Sequence, residues 1–529
     1  MRSMRALRFA TLSLLAAVSL AACEVSVIGG GETPDAGAGA AGGGGPAPCN
    51  GEGCNPPPVP PACAPGTSIA CYDGPAGTLG VGRCRGGLST CTPDGAGYGP
   101  CVGQVMPRAE ICGTTSDDDC DGAPLPCTEV PAWIKSFPES AQTSQTLRVL
   151  LDRDGDLWVL VYFPWPLNEN AVIKVDPWGH EIARLSLDVF DVRVAAAPDG
   201  GLVVLSDVND GFSGKMRFRR YDAAFQIVAD RTFSAGHAWP MAVGVDAAGN
   251  SVVAGAFNGF VDFGTGFWLG PADAQYASTF LVSFDPSGNV RWAKRVIDGS
   301  VGEPQGINTV SVDAAGNILL AGTGSPNAVV DFGAGPVGVD PGGFADILLA
   351  KLDSAGAPLW VKRFPGDILT DHTYGRFDSV GNAFVLGNTS SPLDFGGGPI
   401  DAPTEIVAVF DPEGAYVRSF DVSSKGGWIN DFAIDAAGNV VIAASNYGGA
   451  APYDVQAYLA RFDPTGALLS SVTFGDSVQQ EAQGIVLDGN GKPYFVGYSC
   501  GTIDIGTGPV ASEGGPDDCN VYLARPTMP

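Results

Sequence analysis

The strongest constraint in this sequence is a repeated alternation of short apolar runs and tight turns. Its clearest copy runs from Val310 to Phe364 and reads VSVDAAGNILLAGTG, a loop, and then DILLAKLDSAGAPLWVKRF. Four runs, here called A to D, are broken by that loop and by the turn signals Asp313-Ala-Ala-Gly316-Asn317 and Asp353-Ser-Ala-Gly356. β-Branched and aromatic residues bounded by Asp, Gly and Asn form strands and turns. The unit therefore reads as an up-and-down antiparallel sheet of four strands. The A–B turn recurs with glycines at Gly155, Gly200, Gly249, Gly316, Gly381, Gly438 and Gly491, at intervals of 45 to 67 residues. That interval suits a four-stranded propeller blade.

The C–D turn appears six times, at Asp176, Asp222, Asp285, Asp353, Asp411 and Asp463. The final run, Val521 to Arg525, is a strand C with no strand D after it. Its partner stands far upstream. Trp133-Ile-Lys-Ser-Phe137 matches the D strands Trp292-Ala-Lys-Arg-Val296 and Trp360-Val-Lys-Arg-Phe364. A strand donated from the N-terminal side closes a ring and removes a sheet edge. The expected fold is all-β: a seven-bladed β-propeller over residues 128–529, its last blade completed by that strand. Four B–C loops also carry Asp-Phe/Ile-Gly-x-Gly, beginning at Asp262, Asp331, Asp394 and Asp504. With the turns, they resemble the SBBP-type β-propeller repeat of bacterial surface proteins over about 400 residues. Aspartates in such turns ordinarily cap the local backbone.

Glycine (75) and proline (41) are abundant, as a turn-rich chain requires. The net charge of −28 argues against nucleic acid, which needs a basic patch; acidity of this kind mostly confers solubility.

Residues 1–22 combine Arg2, Arg5 and Arg8 with an apolar run, Phe9 to Leu20, too short to span a bilayer. The junction Leu20-Ala21-Ala22-Cys23 resembles the lipobox of bacterial lipoproteins, which implies a lipidated Cys23 and stable membrane anchoring. Glu24 follows, rather than the Asp associated with inner-membrane retention, and this points to the outer membrane or cell surface. Residues 23–62 form a Gly/Ala/Pro-rich tether, and some forty such residues reach roughly 35 Å as coil.

Ten of the remaining twelve cysteines lie between Cys49 and Cys127, with no Cys-x-x-Cys pair, and the other two are Cys500 and Cys519. Outside the cytoplasm, clustered cysteines staple a module with little core, so residues 63–127 are expected to be a small disulfide-rich unit of open connectivity. Cys500 ends strand B of the last blade and Cys519 precedes its strand C, positions that antiparallel pairing brings within disulfide reach. The run from Cys71 to Gly122 resembles the Cys-rich "putative metal-binding motif" modules related to the MopE-type copper-binding protein. Here Gly-Thr-Thr-Ser replaces the usual Asn-Gly-acid, and Ala123-Pro124 replaces a downstream acid. Asp117, Asp119 and Asp121 would present oxygen ligands from a loop pinned by Cys112 and Cys120, suited to calcium or another divalent metal. The alternative is a solvated acidic loop.

Strand alternation puts the short A–B and C–D turns on one face and the long, dissimilar B–C and D–A loops on the other. Recognition usually resides in variable loops on a rigid scaffold. The D–A loops carry His237, Trp239, Glu303, Gln305, Asp371, His372, Trp428, Asn430, Gln480 and Gln483. From these His237, Trp239, Glu303, His372, Trp428 and Asn430 are the expected ligand-binding residues. No Gly-x-Ser-x-Gly, His-Glu-x-x-His or phosphate loop occurs, and there are three histidines. The expected function is a non-enzymatic, monomeric surface lipoprotein that binds an extracellular glycan, peptide or protein. The alternatives are a propeller hydrolase or lyase acting on an extracellular polymer, and a metal-binding protein acting through the Cys-rich module.

Overall fold

The structure, a computed structural model, describes residues 63–528 apart from residues 93, 108–116, 118–119, 123–129 and 139–146, and apart from loop segments at 164–168, 188–189, 210–213, 265–267, 271–276, 299–305, 326, 339–344, 367–372, 402–403, 424–426, 448–453, 477 and 513–518. Every regular element among the described residues is a strand. Blade 4 has the order foreseen for the repeat: Gly306–Val312, Ile318–Gly324, Asp346–Leu352 and Pro358–Phe364, each pairing antiparallel with the next.

The strands A of the seven blades are Val149–Leu151, Phe190–Ala196, the second part of Ile227–Val245, Gly306–Val312, Tyr374–Phe377, Trp428–Ile434 and Gln480–Leu487. Each touches the strand A of the next blade, and the last touches the first, so the ring is closed. Seven hydrophobic cores fill the seams between neighbouring blades.

The final blade is split as the sequence implies. Trp133–Phe137 pairs with Asn520–Arg525, in the register Trp133 to Arg525 and Phe137 to Val521. Phe137 lies in the core that joins blade 7 to blade 1, with Leu157, Val159 and Tyr494. Cys500 and Cys519 form a disulfide across the B–C connection of the same blade.

A repeated latch explains the Trp-x-Lys signature of strand D. The Trp133 Nε1–H donates to Pro177 O at 2.8 Å, Trp292 to Ser354 O at 3.2 Å and Trp360 to Pro412 O at 3.2 Å. In each case the acceptor lies in the C–D turn of the following blade. The indole rests on that turn's glycine, where a side chain would collide. At Gly414, φ is +85° and an added Cβ would stand 2.8 Å from the Trp360 ring. Gly414→Ala should therefore cost about 2 kcal/mol from the left-handed backbone and the displaced indole together. A chemical-denaturation midpoint unchanged from the parent would show that the latch carries no strain-sensitive contact.

The turn aspartates do local work. Asp313 Oδ1 accepts the N–H groups of Ala315 (2.9 Å) and Asn317 (2.8 Å), while Gly316 takes φ +82°. In the B–C loops Asp331 accepts from Gly333 and Gly335 at 2.7 and 3.1 Å, and Asp394 accepts from Gly396 and Gly398 at 2.7 and 2.9 Å. The hydrophobe after each of these aspartates, Phe332 or Phe395, is buried in an interblade core. The Asp-Phe-Gly-x-Gly motif is thus a capped loop that inserts an aromatic wedge between blades.

One expected loop is absent. Ile227–Val245 is a single 19-residue strand, serving as strand D of blade 2 and strand A of blade 3. Its middle pairs with the prolonged strand B of blade 3, Ser251–Asp262, in the register His237 to Asn258 and Trp239 to Ala256. The ladder supplies the backbone partners a loop would have left to water. His237 and Trp239 therefore sit on a strand, not on a D–A loop.

Among the described residues, the disulfide-rich module has one small hairpin, Ser68–Cys71 with Gly87–Thr90. It is stapled by Cys63–Cys91, Cys71–Cys101 and Cys84–Cys120. Cys120, one of the two cysteines flanking the acidic loop, is thus tied to Cys84; the other, Cys112, lies outside the described residues.

Candidate functional site

Two places collect chemistry: the rim formed by the long loops, and the channel along the propeller axis.

At the rim, Trp428 begins strand A of blade 6 and Tyr447 ends its strand B, so both stand at the long-loop end. Trp428 is 39% and Tyr447 50% exposed, and the Trp428 Nε1–H donates to the Tyr447 hydroxyl at 2.9 Å. Two large aromatic rings held to each other and open to solvent form a platform. Asn430, two residues on, faces inward. Its Nδ2 donates to Ser445 Oγ at 2.9 Å and Ala482 O at 2.8 Å, which ties blade 6 to blade 7. Gln480 is buried and closes the Asp476 turn, and Gln483 donates to Glu481 at 2.6 Å. Trp239 is half-buried. Glu303, Gln305, Asp371 and His372 lie outside the described residues.

The channel has a volume of about 830 Å³ and is walled by strands A of all seven blades. Most of the residue types on its wall are aliphatic, though backbone and polar side-chain atoms open onto it as well, and among the described residues its charged members are Arg148, Arg193 and Arg376. Arg148, Arg193, Tyr374 and Asp431 each lie four residues before the A–B turn of their own blade, and Arg376 lies two before. In blades 3, 4, 6 and 7 a β-bulge falls just ahead of this level, at Met241, Asn308, Asn430 and Gln483. Bulges sharpen the twist of a strand and re-aim its side chains.

Asp431 organises this level. It is 1% exposed. Its Oδ1 accepts from Arg376 Nη2 at 2.7 Å and from the Phe432 N–H at 2.9 Å. Its Oδ2 accepts from the Ile485 N–H at 3.2 Å and stands 3.3 Å from Arg148 Nη1. Arg148 comes from blade 1, so its side chain reaches across blade 7 to blade 6, with its guanidinium 4.8 Å from the Tyr374 ring of blade 5. Burial opposes the charge on Arg148, but the attraction of Asp431 and then of Tyr374 outweighs it and holds the pKa above the ordinary arginine value. Arg193 is positioned by its own bonds, Nε–H to Met241 O at 2.9 Å and Nη1–H to Val192 O at 3.2 Å. None of Trp239, Trp428 and Asn430 is among the described residues that line the channel.

In the Cys-rich module, Asp117 is buried and folds its own turn. Oδ1 accepts the Asp121 N–H at 3.1 Å and Oδ2 the Gly122 N–H at 2.9 Å. Asp121 is exposed, and Asp119 lies outside the described residues. Among the described residues no three potential ligands gather around one point.

No family model matches the chain. No curated protein matches it either. Three solved structures are similar at low identity. The β-propeller domain of the Trilobed protease from Pyrococcus furiosus shares 9% identity at TM-score 0.40, over 73% of this chain and 96% of that one. Acylaminoacyl peptidase from Pyrococcus horikoshii shares 10% at TM-score 0.39, over 72% of this chain and 53% of that one. A protein of unknown function from Bacteroides caccae shares 11% at TM-score 0.32, over 57% and 89%. Similarity this distant carries no argument about activity, and the resemblance to SBBP-type repeats and to metal-binding-motif modules rests on the motifs quoted above.

Proposed function

We propose that this chain is an exported lipoprotein, anchored through Cys23 to the outer membrane or cell surface, that displays its propeller as a monomeric, non-enzymatic binder of an extracellular glycan, peptide or protein. The observation that carries the binding reading is the exposed Trp428–Tyr447 pair on the variable-loop face. Aromatic platforms bury large apolar area at small entropic cost and keep a polar edge for hydrogen bonds. The opposite face repeats one turn around the ring and offers little to discriminate a partner. A glycoside hydrolase would need a pair of carboxylates facing substrate. The described channel wall instead presents three guanidiniums, with Asp431 behind them and engaged by two.

A glycan and protein array probed with residues 128–529 tests the reading. With the captured ligand, Trp428→Ala should weaken binding by about 1–3 kcal/mol, as anchor residues do, while Ser354→Ala in a short turn should leave it unchanged. Loss from the short-turn variant alone would overturn the face assignment. The anchoring half is tested separately: Cys23→Ser should move the protein from the membrane fraction to the soluble one, and a variant that still sediments with membranes would refute it.

A further inference from the structure

The axial channel is separate from the rim and points to different chemistry. In a chain of net charge −28, the charged residues lining this cavity are, among the described residues, three arginines. They come from blades 1, 2 and 5, so no local sequence requirement explains their lining one channel. Asp431 neutralises only part of that charge, and it fixes Arg148 and Arg376 in place from behind the wall. Two polar atoms in this wall, the Thr309 hydroxyl and the Arg376 Nε, are buried without a hydrogen-bond partner among the described residues.

We propose that the channel is an anion-binding site, taking a ligand whose carboxylate or sulfate groups are held by Arg148, Arg193 and Arg376. Guanidinium groups match such oxyanions with paired N–H donors and are more weakly hydrated than ammonium groups, so they give up water readily. The volume of about 830 Å³ lies in the range of small-ligand pockets, and the wall offers both aliphatic side chains and polar groups to the remainder of a ligand. The A–B turns carry aspartates that would repel an anion, and distance decides the balance. Four residues of strand separate them from Arg148 and Arg193, about 13 Å, which exceeds the Debye length of about 8 Å at physiological salt; Arg376 stands two residues from its turn and is the least shielded of the three. The enclosed arginines are screened less than those solvent-facing carboxylates.

The intact protein is titrated calorimetrically with sulfate, citrate and an oligogalacturonate, each against sodium chloride of equal ionic strength and against a neutral galactan oligomer. Saturable binding of the oxyanions is expected, with none of chloride or galactan. Sulfate or citrate binding alone assigns a free small anion; an oligogalacturonate preference assigns an anionic polymer end. Arg193→Gln and Arg148→Gln should each weaken binding about tenfold or more, the effect of losing a charged hydrogen bond. Arg193 bonds to the backbone carbonyls of Met241 and Val192, away from Asp431, so Arg193→Gln keeps the claim testable if Arg148→Gln unfolds the ring. Absence of saturable oxyanion binding, or equal affinity in Arg193→Gln, would overturn the proposal. Neither result bears on Trp428, whose variants are read with the array ligand.

Discussion

Removing Trp133–Phe137 should lower the unfolding free energy of the propeller by roughly 5 kcal/mol or more, because the burial of Trp133, Ile134 and Phe137 is lost together. The strand pairs with Asn520–Arg525 along its whole length and places Phe137, 2% exposed, in the seam between blades 7 and 1. Ile134 packs into the seam with blade 6, and Trp133 latches onto the first blade through Pro177. One strand therefore joins three blades. Its loss also bares the edge of Asn520–Arg525, and an unpaired edge recruits other chains. The measurement is a denaturant titration of residues 140–529 beside residues 128–529. Coincident midpoints would show that the ring does not depend on this closure.

That closing strand was legible in the sequence for a physical reason. Trp-x-Lys marks a strand D because the indole must lie on the glycine of the next turn, so Trp133 carried the same signature as Trp292 and Trp360. The aspartate turns were equally readable, since each capping pattern is local. The strand through His237 and Trp239 was not. Gly236 and Pro240 there read as loop, yet Pro240 stands beside the bulge at Met241, where a missing N–H disturbs the ladder least. The arginine level was also missed. Arg148, Arg193 and Arg376 stand far apart in sequence, and only the ring brings them together. The shared four-residue offset of Arg148 and Arg193 from their A–B turns was the available signal, and it gains meaning once strands A are known to line one channel.

The second large effect is expected at a buried ion pair in blade 4. Asp346 opens strand C and its side chain is 0% exposed; Arg363 on strand D is 4% exposed and donates through Nε to Asp346 Oδ2. The same guanidinium reaches Ser325 O at 2.8 Å, Ala328 O at 3.3 Å and Gly338 O at 3.4 Å, so it also fixes the long B–C connection of that blade. Breaking one partner of such a pair strands the other's charge away from water. Arg363→Met should cost about 3–5 kcal/mol, and Asp346→Leu a similar amount. With both changes no ion is left without its counter-ion, and the double variant should lie closer to the parent than the two losses summed. Contacting groups that act as a unit show coupling of about 0.5–3 kcal/mol in such a cycle. Strict additivity in thermal or chemical denaturation would mean that the two side chains act independently. The B–C connection would then be held by the carbonyl bonds of Arg363 alone, and Asp346 would be a buried carboxylate balanced by other neighbours.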